Sequence, residues 1–196
     1  MASKTSIFNR ALRILGGRSV QSPDENLPDA IRMNEAWDDC VDEVLRAHPW
    51  SHAMQWASLA KLATPPPFGF AYAYELPSAC LRMVDIRTDG DLTREGQPFE
   101  IVGSAVYTNA TPALARFVVR TDSTSLWPSD FCGVLALRLA VETASALAKD
   151  GGKLAPVLLQ RYQLALDAAK LTDAACMREV DANREADNPF LKARFG

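Results

Sequence analysis

Histidine is scarce in this 196-residue chain, cysteine is scattered, and long apolar runs are missing. The two histidines are His48 and His52, and the four cysteines, Cys40, Cys80, Cys132 and Cys176, form no C-x-x-C pair. The cysteines stand about forty to fifty residues apart, whereas a zinc site needs soft ligands at short spacings. No metal or cofactor is expected, and the cysteines read as small buried hydrophobes in a reducing compartment. No apolar stretch approaches the ~20 residues of a bilayer-spanning helix, and mean hydropathy is only -0.08. Met1 to Arg18 carries Lys4, Arg10, Arg13 and Arg18, but no apolar core and cleavage site follow, so no secretory signal is expected. Absent too are G-x-G-x-x-G, a Walker A loop, a G-x-S-x-G elbow and H-E-x-x-H, which removes the commonest nucleotide and hydrolase chemistries.

Charge of either sign is also in small excess. A net charge of -3 and a pI near 5.4 argue against a free-standing nucleic-acid binder, whose footprint is a basic face. The distribution is uneven, because Met1 to Ser19 holds four basic residues and no acid, while Val20 to Leu45 holds eight acids against Arg32 alone. That asymmetry points to two differently charged surfaces.

What is present is helical periodicity at both ends and short alternating runs between. Ile7, Ala11, Ile14 and Leu15 share one side of a helix over about 3–15, stopped by Gly16-Gly17. Pro28 suits the first position of a second helix over about 28–48. Its stripe is Ala30, Met33, Trp37, Cys40, Val41, Val44 and Leu45, with Glu35, Asp38, Asp39, Asp42 and Glu43 on the solvated side. The residue before Pro49 ends it. Trp50 to Ala63 reads as extended, and Pro65-Pro66-Pro67 as a stiff loop. Phe70–Leu76, Leu81–Arg87, Phe99–Val102, Ala105–Thr108 and Leu114–Arg120 alternate as strands of one small, mostly antiparallel sheet. Helices then follow over about 129–149 and 154–186. The first carries Phe131, Val134, Leu135, Leu139 and Ala146. The second carries Leu158, Tyr162, Ala165, Ala169, Ala175 and Val180, and turns polar from Asp173 onwards.

The fold class expected is therefore α+β, mainly α: an antiparallel helical bundle with a small inserted antiparallel β element at about 54–120 and an extended C-terminal tail. Length favours a single domain over 1–187, leaving 188–196 as a cationic tail with Phe190, Leu191 and Phe195.

Candidate chemistry is thin. Glu35 with Asp38, Asp39 or Asp42 lies within a turn on one helix, and paired carboxylates can cleave glycosides. A run of acids opposite an apolar stripe is more simply a solvated face. His48 and His52 straddle Pro49-Trp50 so that their rings could meet, yet no carboxylate or cysteine is placed to complete a site. Trp37, Trp50, Trp56 and Trp127 could stack on a ligand, but Trp37 belongs to the core stripe and the others read as core or interface anchors.

The ordered set Ala11-Leu-Arg-Ile-Leu-Gly16, Ser22-Pro-Asp-Glu25, His48-Pro-Trp50, Trp56-Ala57, Pro67, Tyr72-Ala-Tyr74, Leu76-Pro77 and Cys80-Leu-Arg82 resembles the head-to-tail adaptor family of tailed phages, the tail tubular protein A or head-completion adaptors of short-tailed phages. Trp127-Pro128, Phe131 and Leu159-Gln-Arg-Tyr162 extend the likeness. The resemblance implies a ring, commonly of twelve copies, seated beneath the portal protein, joined below to a tail nozzle, stopper or tail-tube protein, with genomic DNA passing through its lumen without sequence recognition. It implies a place in the virion neck, after assembly in the host cytoplasm, and no catalysis. On it, Phe190, Leu191 and Phe195 would anchor the tail in the portal, with Lys192 and Arg194 pairing with portal acids. The alternatives are a phage-associated cell-wall hydrolase using Glu35 and Asp38, and a tail completion or packaging accessory protein.

Overall fold

The structure, a computed structural model, describes residues 2–90, 95–148 and 153–186, with side chains described up to residue 176. It contains four α-helices, α1 (Lys4–Ile14), α2 (Pro28–Arg46), α3 (Ser129–Leu147) and α4 (Ala155–Ala186). Between α2 and α3 run six strands, β1 (Met54–Ser58), β2 (Tyr72–Glu75), β3 (Cys80–Arg87), β4 (Phe99–Val102), β5 (Ala105–Thr108) and β6 (Leu114–Val119). This is an α+β chain. Its contacts gather into two compact units, one from the described residues of Met1–Val44 with Ser123–Gly196, the other Leu45–Asp122.

The helical unit begins at a reciprocal cap. Ser6 N–H donates to Ser3 Oγ at 3.1 Å and Ser3 N–H to Ser6 Oγ at 2.9 Å, so two of the orphan donors at the helix start are satisfied. At the other end Gly16 takes φ +73°. With that turn, Gly17 N–H reaches Leu12 O at 2.8 Å and Gly16 N–H reaches Arg13 O at 3.2 Å, a Schellman closure. Asn9 then holds the outgoing chain, its amide donating to Val20 O at 2.9 Å and accepting from Val20 N–H at 2.8 Å. Pro28 opens α2, and Ile31 N–H donates to Leu27 O at 3.0 Å. The helix stops at Arg46 rather than His48, because His48 is excluded from helical geometry by Pro49 and its carbonyl turns to accept from Trp50 N–H at 2.9 Å.

At the centre lies α3, buried on almost every side through Phe131 to Leu137 and at Leu139, Ala140, Thr143 and Ala144. It packs on α1 and α4, and meets α2 where Arg138 pairs with Glu43 and Thr143 lies 4.0 Å from the Met33 sulfur. Four rings run in series through this core. Phe8 stands edge-on to Trp37 (5.4 Å), Trp37 stacks on Trp127 (6.0 Å), and Trp127 stands edge-on to Phe131 (5.1 Å). Along α4, Leu158, Tyr162 and Ala169 are buried, as expected of the stripe, but Ala165 is half-buried with Leu166 buried beside it, Ala175 is exposed, and Ala146 of α3 likewise. Asp173, where the sequence turns polar and core burial is hardly expected, is buried.

The strand unit holds two sheets where one was expected. β1-β6-β3 and β2-β5-β4 are each three-stranded and antiparallel. Alternation reveals strands, but pairing β1 with β6 across some sixty residues is a long-range choice that no local pattern encodes. Tyr74, Met83, Ile86, Val106, Ala115 and Phe117 form the shared core of the unit. One seam between the sheets is bridged by Leu62 N–H to Ala73 O and Glu75 N–H to Ala60 O, both 2.8 Å, and the other by Gln97 N–H to Ile86 O at 2.7 Å. Trp50 to Ala63 is only partly extended, since Ser51–Ala53 forms a 3-10 turn before β1.

Candidate functional site

The tail residues singled out by sequence, Phe190, Leu191, Lys192, Arg194 and Phe195, lie outside the described residues. Among the described residues, three places in the molecule concentrate polar or apolar side chains at the surface.

A cleft of about 480 Å³ opens between α2 and α3, lined by Arg32, Glu35, Asp39 and Cys40 from one helix and Arg138 and Glu142 from the other. Arg138 is its organiser. Its Nε lies 2.7 Å from Glu43 and a terminal nitrogen 2.8 Å from Glu142, and its side chain is only 17% exposed. Burial pulls the Arg138 pKa down, but hydrogen bonds to Glu43 and Glu142 outweigh that and leave it raised. Burial also lifts the Cys40 thiol to about 12, so it stays protonated near neutrality and is a poor nucleophile. Glu35 is 62% exposed and sits 3.6 Å from Arg32. Asp38 is exposed as well. Neither has the apolar enclosure that splits two carboxylates into an acid and a base. The geometry of this cleft clamps α2 to α3.

A second cavity, about 380 Å³, is lined by Arg10, Arg13 and Ile14 of α1, Leu137 of α3 and Arg161 of α4. Three arginines from two helices thus line one cavity. Arg10 is seated by a glycine. A Cβ on Gly133 would come 2.8 Å from an Arg10 terminal nitrogen, so the missing side chain in the second turn of α3 lets the guanidinium lie against the helix. Beside it runs the outward side of α4, where Val157, Leu164 and Leu171 are 60%, 66% and 74% exposed. Residues 157, 161, 164, 168 and 171 fall on one side of a helix, so α4 is apolar on two sides, of which the described residues bury one. The sequence carried that signal in the seven-residue spacing of Val157, Leu164 and Leu171, which lies outside the buried stripe of Leu158 and Tyr162. The arginines had no such signal, because α1 and α4 are distant in the chain.

In the strand unit both histidine rings are placed around Trp50. His48 stands edge-on to it at 4.9 Å and His52 is tilted at 6.2 Å, and the indole itself is buried. Trp37, Trp50 and Trp127 are core, whereas Trp56 is exposed on β1 with the Arg116 guanidinium 5.5 Å from its ring. Phe68 is 81% exposed, just after Pro65-Pro66-Pro67 and just before Gly69 at φ +83°. Ile101 and Val102 are exposed at the β4–β5 turn. No group of three or more His, Cys, Asp or Glu among the described residues is placed to hold a metal, and no helix among them is long and apolar enough to cross a membrane. No protein-family model matches the chain, and no curated protein matches it significantly.

Proposed function

We propose that this chain is a structural head-to-tail adaptor of a tailed bacteriophage, one of a ring of copies that sits beneath the portal, continues the DNA channel and joins the capsid to the tail. The four helices would form an antiparallel bundle carrying the inserted β unit, with residues 188–196 as an extended arm to the portal. The observation that carries the reading is the two-sided α4, whose exposed Val157, Leu164 and Leu171 are more apolar surface than a solitary chain has reason to leave in water. Exposed Phe68, Trp56, Ile101 and Val102 on the other unit add contact surface of the same kind. Large apolar groups rimmed by charge are the usual make-up of protein contact surfaces. The ordered sequence resemblance, from Ala11 through Arg82 and again from Trp127 to Tyr162, supplies the kind of assembly.

The arm is tested by deleting residues 188–196 and measuring binding to purified portal rings. Loss of Phe190, Leu191 and Phe195 as anchors and of Lys192 and Arg194 as charge partners is expected to weaken binding at least about tenfold, or ~1.4 kcal/mol. Unchanged affinity overturns the arm. Imaging of mature particles tests the adaptor itself: density for this chain around the neck axis supports it, and its absence from the particle refutes it.

A further inference from the structure

We infer that the arginine groove is a binding site for a small organic phosphate monoester, seated on the guanidinium groups of Arg10, Arg13 and Arg161. The site lies wholly within the helical unit and needs no second chain. Arg10 and Arg13 stand one turn apart on α1, so their side chains are neighbours on its surface. Arg161 enters from the second turn of α4, and Ile14 and Leu137 supply an apolar wall. All three arginines are exposed, so a solute reaches them. The volume of about 380 Å³ falls in the range of small-ligand sites. Gathering three like charges around one space costs free energy that a bound anion offsets.

The donors select among anions. Each guanidinium offers a planar fork that holds two acceptor positions at once. A carboxylate has only two oxygens to share among such forks, whereas the phosphate of a monoester carries three acceptor oxygens and close to two negative charges. Three forks therefore match three oxygens. The Arg10 fork is already seated: its two terminal nitrogens and its Cζ lie 2.8, 3.0 and 3.1 Å from where a Cβ on residue 133 would stand. The guanidinium thus occupies the notch that the glycine leaves, and it has less freedom to lose on binding. At ~30 Å³ per water-sized group the cavity holds roughly a dozen such groups. That is more than one phosphate fills, and Ile14 and Leu137 suit the carbon skeleton of an ester. Duplex DNA fits less well, because a chain of net charge -3 with an acidic α2 repels it, and three arginines around one hollow are not the extended basic face a phosphate backbone needs.

The test is isothermal titration calorimetry of the full chain at low salt with ribose 5-phosphate, inorganic phosphate, ribose, succinate and duplex DNA. The variants are Arg161→Ala, Arg161→Lys, Arg13→Ala and Gly133→Ala, with circular dichroism to check that each folds. Positions 13 and 161 are exposed, so they keep the test decisive if Gly133→Ala does not fold. Ribose 5-phosphate is expected to bind with Kd at or below about 1 mM, more tightly than inorganic phosphate, while ribose stays unbound. Arg161→Ala and Arg13→Ala are each expected to weaken binding at least about tenfold. Arg161→Lys keeps the charge without the fork and is expected to recover only part of that loss. Gly133→Ala, which displaces Arg10 without changing charge, is expected to weaken binding as well. Affinity is expected to rise from about pH 5 to about pH 7, because the phosphate gains its second charge near pH ~6 and none of the five lining residues titrates there. No binding of ribose 5-phosphate at ten times that concentration overturns the inference. So does binding indifferent to Arg161→Ala, full recovery in Arg161→Lys, or succinate or inorganic phosphate bound as tightly as the ester. Duplex DNA bound by the wild type and lost in Arg161→Ala, with ribose 5-phosphate unbound, overturns it in favour of nucleic acid. The adaptor reading is untouched by these outcomes, since it stands or falls on portal binding and on the neck of the particle.

Discussion

Trp37 is the side chain on which the helical unit depends most visibly. It stacks on Trp127 at 6.0 Å and receives Phe8 edge-on at 5.4 Å, with the Lys4 ammonium 5.1 Å from its ring. Truncating a buried aromatic to alanine costs ~3–5 kcal/mol through lost burial and the cavity left behind. Each aromatic pair adds ~0.5–1.5 kcal/mol beyond burial and the cation ~0.5–1. Much of the pair energy is already contained in the truncation figure, so Trp37→Ala is expected to cost about 4–5 kcal/mol, a large share of the ~5–15 kcal/mol of a typical domain. Trp37→Phe, which keeps a ring, is expected to cost about half as much. Far-ultraviolet circular dichroism in urea is the right readout, because the α-helices belong almost entirely to this unit and the tryptophan count changes in the variants. A double-mutant cycle with Trp127→Phe is expected to leave a coupling of ~0.5–1.5 kcal/mol. A Trp37→Ala loss below ~1 kcal/mol, or additivity in the cycle within ~0.3 kcal/mol, would show that the four-ring series is an accident of packing and refute the reasoning.

Two further outcomes are expected. Tyr74 donates its hydroxyl to Ala110 O at 2.8 Å inside the strand unit, so Tyr74→Phe strands a buried carbonyl and costs ~1–2 kcal/mol in urea unfolding, while the less buried Tyr107→Phe stays within ~0.5 kcal/mol. Burial keeps Cys40 protonated from its ordinary 9.0 up to about 12, and Tyr162 from 10.0 up to about 12. The folded chain then binds more protons than the unfolded one across that window, and stability is full below pH 9 and falls as pH rises through it. In Cys40→Ala the fall between pH 9 and 12 is expected to be shallower, and thiol reagents at pH 8 are expected to reach exposed Cys176 well before Cys40.

The helices were legible because their signals are local. Ser3 ahead of an apolar period, Gly16-Gly17 after it, and Pro28 at a first turn each act within one turn of chain, and the structure places boundaries within two residues of them. The strands were legible for the same reason. Their division into two sheets was not, because β6 chooses β1 and β3 as neighbours through contacts far apart in sequence. Burial along α4 was half legible. The stripe of Leu158, Tyr162 and Ala169 is where periodicity put it, but Asp173 is buried by its tertiary surroundings, which a hydropathy pattern counts as solvent. The acids of α2 read as a solvated face, and most are exposed; that Glu43 is drawn onto Arg138 depends on α3, ninety-five residues later in sequence. The arginine groove was the least visible feature of all, since Arg10, Arg13 and Arg161 meet only when α1 and α4 flank Leu137.

Phe68 shows what a stiff approach to a loop tip does. Three consecutive prolines fix three φ angles on one side and Gly69 supplies the left-handed turn on the other, so the phenyl ring is held out in water by backbone geometry rather than by contacts of its own. A loop tip displayed in this manner has already lost part of the backbone freedom that ordering it under another surface would remove. Covering it then costs less backbone ordering than a flexible loop would, and replacing the prolines with flexible residues would weaken that contact without touching a single atom of it.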